Sequence, residues 1–210
     1  DMCSGPILGK LLTFTIPLIF SGILQLLFNA ADVIVVGRFA GSQSLAAVGS
    51  TTALINLMIN IFIGLSVGVN VIVARYYGAK REKDVQDTIH TAMALSIVSG
   101  LFLIIVGQLL SRPMLELMGT PDDVIDKSTI YMRIIFIGMP ANMIYNFGSA
   151  ILRAVGDTKR PLYFLTAAGV INVVLNLFFV IMFQMDVAGV ALATAISQAI
   201  SACLVILCLM

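Results

Sequence analysis

Residues 11–38 read LLTFTIPLIFSGILQLLFNAADVIVVGR. No charged side chain occurs from Leu11 to Ala31, a run that matches the roughly 20 apolar residues a helix needs to cross a bilayer. The residues do not alternate polar with apolar, as the strands of a membrane barrel would. The run ends in an acid. Gln25, Asn29 and Asp32 stand at i, i+4 and i+7 and share one helix face, while Ile23, Leu27 and Ile34 make the opposite face apolar. An ionisable residue at the centre of a membrane helix costs at least about 2.5–3.5 kcal/mol and marks an ion or proton path. The alternative follows from length. A helix begun near Leu11 reaches Asp32 after roughly 32 Å, so Asp32 at the far interface, solvated or paired with Arg38, is the competing reading. Pro17 lies inside the same helix, where it frees a backbone carbonyl and can kink the axis. Pro140 can do the same further along.

The pattern recurs along the chain. Phe39–Ala74, Thr88–Ser111, Ile134–Leu152, Pro161–Met185 and Val187–Met210 are also free of Asp, Glu, Lys and Arg, with a single histidine, His90, in the second. Gly41-Ser42-Gln43-Ser44 is polar and turn-like, so the second helix is expected to start near Ala46. The spacing predicts helices over about 9–35, 46–74, 88–111, 129–152, 161–184 and 187–210. The expected fold is an all-α integral membrane protein, a six-transmembrane-helix bundle forming one lobe over residues 1–210. Composition agrees. Hydrophobic residues make up 60% and charged residues 11%, where a soluble domain carries about 25% charged. That balance excludes an ordinary soluble enzyme and a disordered chain. A formal net charge of +1 provides no basic field for nucleic acid.

Chemistry-bearing motifs are few. His90 stands alone and reads as an interfacial histidine, and no P-loop, nucleophile elbow or HExxH occurs. The chain therefore reads as a non-enzyme without a cofactor. Cys3, Cys203 and Cys208 show neither metal-ligand spacing nor a disulfide framework; buried, inert thiols are expected. Small residues in the second and sixth helices, Ala46–Ser50 and Ala188–Ala191, suit close helix contacts.

Orientation follows the distribution of Lys and Arg. Eight of the 12 fall on the side of the N-terminus and of loops 2–3 and 4–5: Lys10; Arg75, Lys80, Arg81 and Lys83; Arg153, Lys159 and Arg160. Arg38, Arg112, Lys127 and Arg133 fall on the other. Both termini of this segment are expected in the cytoplasm, in a multi-pass protein of the cytoplasmic membrane. The chain opens on Asp1 and closes inside an apolar run at Leu207-Cys-Leu-Met210, which suggests part of a longer protein. Two basic loops share a form: Arg75-Tyr-Tyr-Gly78-Ala-Lys80-Arg81 and Arg153-Ala-Val-Gly156-Asp-Thr-Lys159-Arg160. They read either as two helix ends with a stop glycine or as an internal repeat of the kind transporters carry.

Further polar positions lie in the last two spans. Asn172 and Asn176 are i, i+4, as are Thr194 and Gln198. Such groups serve as interhelical hydrogen bonds of roughly 0.6–2 kcal/mol. Together with a carboxylate they also supply oxygen ligands for a small hard cation, or a site whose carboxylate changes protonation.

In these stretches the chain resembles the multidrug and toxic compound extrusion (MATE) transporters. The likeness rests on Pro17 with Gln25 and Asp32, on Asn29–Arg38, on Ala74–Ala79, on Leu152–Pro161, on Ile171–Asn176 and on Ala188–Thr194. It covers the whole chain, as the N-terminal half of a twelve-helix protein. The resemblance implies antiport, with H⁺ or Na⁺ entering as an organic cation leaves. It implies a cation site formed by Asp32, Asn172, Asn176 and Thr194, with Gln25 and Asn29 near the substrate and Pro17 letting the first helix bend. It implies membrane lipid, a small organic cation, and a C-terminal half or a second copy as partners. Many members carry Asp where this chain has Asn176, which leaves Asp32 the only acid of the set. A lipid-linked oligosaccharide flippase of the same superfamily and an integral-membrane enzyme are the alternatives.

Overall fold

The structure, a computed structural model, describes residues 7–210. Among these there are helices and turns but no strand. The helices are α1 (Ile7–Val35), α2 (Ser42–Gly78), α3 (Glu82–Leu117), α4 (Asp122–Ile137), α5 (Met139–Ala154), α6 (Lys159–Leu177) and α7 (Asp186–Leu209). Five stretches (α1 with the turn after it, α2, α3, α6 with the turn after it, and α7) are each long and apolar enough to cross a membrane; α4 and α5 together make a sixth, bent by 48°.

The helices outrun the charge-free spans. α3 takes in Glu82, Lys83 and Asp84 at its start and Arg112 and Glu116 at its end. Hydropathy delimits the part that suits hydrocarbon, not the helix, and acids in a first turn complement the helix dipole. α2 begins at Ser42 and not near Ala46. Only Gly41, with φ +86°, makes the turn. Serine is well accommodated at a helix start, and Ser44 is fully buried there. The fourth span breaks at Gly138, just before Pro140; the proline falls in the first turn of the new helix, where its missing N–H costs nothing. Across Pro17, by contrast, α1 runs unbroken.

Two π-helical turns follow the helices that carry the polar faces: Val36–Ala40 after α1 and Phe178–Met182 after α6. The two basic loops also differ from each other. In the second, Gly156 takes a left-handed conformation, φ +91°, and the helix end closes through Asp157 N–H donating to Leu152 O at 2.9 Å. In the first, Gly78 is still helical and Lys80 takes the left-handed position, φ +56°. Gly78 is therefore not the stop residue.

Close approaches at glycine set the packing. A Cβ on Gly100 of α3 would lie 2.3 Å from Pro140 Cα, and one on Gly169 of α6 would lie 1.9 Å from the Phe28 ring of α1. The core centres on α4 and α5, with Met132, Phe136, Met139, Met143 and Phe147 fully buried. α1 rests on α6, while α2 packs on α3, α4 and α5. A cleft is left between α1 and α2. At one end of the bundle the starts of α2, α4 and α7 are tied together: Ser44 Oγ donates to Asp186, and Lys127 Nζ lies 2.6 Å from Asp186 Oδ2 and 3.1 Å from Ser44 Oγ.

The cysteine expectation is corrected. Cys203 is exposed on the outer side of α7 and Cys208 is half-buried; both are free thiols. The apolar surroundings that a membrane helix offers a thiol lie here on its outside. Cys3 lies outside the described residues.

Candidate functional site

The cleft between α1 and α2 deepens into a cavity of about 400 Å³. α1 contributes Gln25, Asn29 and Asp32 to its wall, one face as the i, i+4, i+7 spacing requires. α6 contributes Asn172, and α7 contributes Thr194 and Gln198. Asp32 is the one carboxylate among the described residues of the wall. It forms no ion pair with Arg38; its partner is an amide.

Hydrogen bonds join the four residues. Asn176 Nδ2 donates to Asp32 Oδ1 and, at 3.2 Å, to Asn172 Oδ1. Asn172 Nδ2 donates to Thr194 Oγ1 at 3.2 Å, and Thr194 Oγ1 donates to Val190 O at 2.9 Å. The network runs from α1 through α6 to α7. Asn176 has no exposed surface and lies behind Asp32, off the cavity wall. Its Oδ1 is buried and has no hydrogen-bond partner among the described residues. Buried acceptors are nearly always satisfied, which makes this oxygen a candidate ligand of the site beside the Asp32 carboxylate. Asp32, Asn172, Asn176 and Thr194 together offer oxygens only, the donor set of a small hard cation. The four fit a monovalent cation or a proton on Asp32. No cluster of three His, Cys, Asp or Glu side chains is present among the described residues.

Gln25 and Asn29 face the open side of the cavity and are exposed. Pro17 is buried in α1, two turns before Gln25 and away from the wall. The wall also holds residues that the sequence reading passed over: Thr52 and Asn56 of α2, Tyr131 of α4, and Asn142, Tyr145 and Asn146 of α5. Thr52 with Asn56 and Asn142 with Asn146 have the same i, i+4 spacing as Asn172 with Asn176, and that spacing was the available signal.

Residues 17–178 match the MatE family. The chain belongs to this family, the multidrug and toxic compound extrusion transporters. It is 35% identical over 188 residues to a probable multidrug resistance protein of Bacillus subtilis, covering 88% of this chain and 41% of that protein. It is 27% identical to a FAD transporter of Shewanella oneidensis, covering 93% and 44%. Among solved structures it resembles a MATE transporter in an outward-facing conformation, at TM-score 0.90 and 26% identity, covering 96% of this chain and 44% of that one. An inward-facing MATE structure matches at TM-score 0.83 and 27% identity, with 89% and 42% covered. The chain thus spans less than half the length of the relatives it matches.

Proposed function

We propose that this chain is the N-terminal lobe of a cation-coupled antiporter that exports small organic cations across the cytoplasmic membrane, with H⁺ or Na⁺ as the coupling ion. The observation that carries the reading is Asp32, a lone carboxylate on the cavity wall, held by the Asn176 amide in place of a counter-charge, with Asn172 and Thr194 bonded in turn behind that amide. A carboxylate so placed takes up a cation or a proton without first breaking an ion pair. In this reading Asp32, Asn172, Asn176 and Thr194 hold the coupling ion, and Gln25 and Asn29 meet the substrate. Pro17 lowers the cost of bending α1, because its missing N–H leaves a helical hydrogen bond unmade. The family membership and the names of the relatives support export. Alternating access needs two bundles that rock about a shared site, so a second lobe completes the cavity between α1 and α2.

The test is counterflow of a fluorescent organic cation in vesicles holding the full-length transporter, with H⁺ and Na⁺ gradients varied separately. Asp32→Asn keeps size and hydrogen bonding and removes the charge. It is expected to abolish gradient-driven efflux with expression intact. Unchanged coupled efflux would return Asp32 to an interfacial role.

A further inference from the structure

The cleft between α1 and α2 holds a second cavity, of about 270 Å³, at the opposite end from the Asp32 site. It is lined by Phe14 of α1, by Asn70, Ala74 and Tyr77 of α2, and by Arg153 at the end of α5. Along α2 the nearest lining residues of the two cavities, Ile63 and Asn70, stand about 10 Å apart at 1.5 Å per residue, and the rim of the second is made by Gly78 at the end of α2 and by Arg153–Gly156 at the end of α5. The second cavity therefore sits at a membrane face, the one that carries most of the Lys and Arg. Both R-x-x-G segments converge here: Tyr77 and Gly78 belong to the first, and Arg153 to Gly156 form the second.

Arg153 is the group that needs an explanation. It is half-buried, and its Nε donates to Ser149 O at 3.2 Å, one turn back along α5. That bond turns the guanidinium away from the helix end and back along α5, while Arg153 still lines the cavity. No ion pair is made by Arg153 among the described residues. Two nearby acids at this end are engaged elsewhere: Asp84 with Arg81 at 2.7 Å, and Asp157 with Arg160 at 3.2 Å. A half-buried cation without a carboxylate is costly, and its two terminal nitrogens form a fork that matches carboxylate or phosphate oxygens. At a membrane face the abundant anion is a lipid phosphodiester, and Arg75, Lys80 and Lys159, at the same end of the bundle, add the field that concentrates it. Asn70 Nδ2 donates to Ala150 O at 2.7 Å and so pins α2 to α5 beside the cavity. Phe14 and the outward Leu11 and Leu12 of α1 provide an apolar flank for acyl chains.

We propose that this cavity is a binding site for a phosphate group, with Arg153 as its principal ligand and the headgroup of an anionic phospholipid as the occupant. The inference rests on embedding in a membrane and on the second lobe of the proposed transporter leaving this end of the α1–α2 cleft open to lipid; it does not depend on which ion or substrate is carried. Native mass spectrometry of the full-length transporter, with dioleoyl phosphatidylglycerol or phosphatidylcholine added, tests it. The protein is expected to retain phosphatidylglycerol in preference to phosphatidylcholine. Arg153→Gln is expected to lower that retention about tenfold, the loss of one charge-assisted contact. Ala74→Leu leaves every charge in place and fills the cavity from an exposed position, so it gives a similar loss even if Arg153→Gln fails to fold. A melting-temperature rise with inorganic phosphate alone, absent in both variants, would support the phosphate site and identify a soluble phosphate as its source. Equal retention of phosphatidylglycerol by the wild type and both variants, with no effect of phosphate, would overturn the proposal.

Discussion

Asp32 and Asn176 meet across a helix interface although 144 positions separate them. The Asn176 amide donates in two directions, to Asp32 and to Asn172, and keeps an unpartnered oxygen. A second carboxylate there would share the space of the first. Like charges at that distance cannot both ionise freely, so Asn176→Asp is expected to change the shape of the pH profile of efflux. Superimposable profiles for variant and wild type would place Asn176 outside the coupling site. The candidate residues on α1, α6 and α7 were legible in the sequence because helical spacing puts polar groups on one face. The pairing of Asn176 with Asp32 was not legible, since spacing within a helix carries no information about which face of another helix it meets. Arg38 lay much closer in sequence and was the simpler partner; the fold chose the amide.

Among the helices, glycine decides how closely axes approach, and the strictest case is Gly100 against Pro140. The atom in the way is backbone: Pro140 Cα lies 2.3 Å from where a methyl carbon on Gly100 would sit, and backbone does not yield as a side chain does. Gly100→Ala is expected to destabilise the lobe by about 1–3 kcal/mol, read as a lower melting temperature of the detergent-solubilised transporter. An unchanged melting curve would mean that α3 and α5 sit further apart. At Gly169 the same crowding involves the tip of the Phe28 ring, next to the cavity wall, so a side chain there acts on the seating of α1. The two π-helical turns were invisible to hydropathy, because composition does not register a local change in helical pitch: the second turn, Phe178–Met182, is as apolar as the helix before it, and in the first Arg38 marks the end of the apolar run rather than the wider turn. They begin four residues after Asp32 and two after Asn176. π turns widen a helix locally and are frequent at functional sites; here they end the two helices that carry the facing site residues.

For the whole molecule, the expected topology has an experimental consequence. Single cysteines introduced at Lys80 and at Thr120 lie at the two ends of α3, and are expected to react with a membrane-impermeant thiol reagent from opposite sides of the membrane. Reaction of both from one side would refute the six-span reading. The connectivity of the lobe agrees with that reading: Phe14, Gly78 and Arg153 share one cavity, and Ser44, Lys127 and Asp186 bond to one another at the other end. By itself the sequence determined the membrane class, the number of spans and the polar faces, since each depends on local composition and on a period of 3.6 residues. Only the tertiary structure decided what those faces meet. It placed Asn176 behind Asp32, broke the fourth span at Gly138, and brought the two basic loops to one cavity around Arg153. It opened α1 from α2 because α1 packs on α6, a choice made by the fit of Phe28 over Gly169 across an interface that hydropathy cannot register.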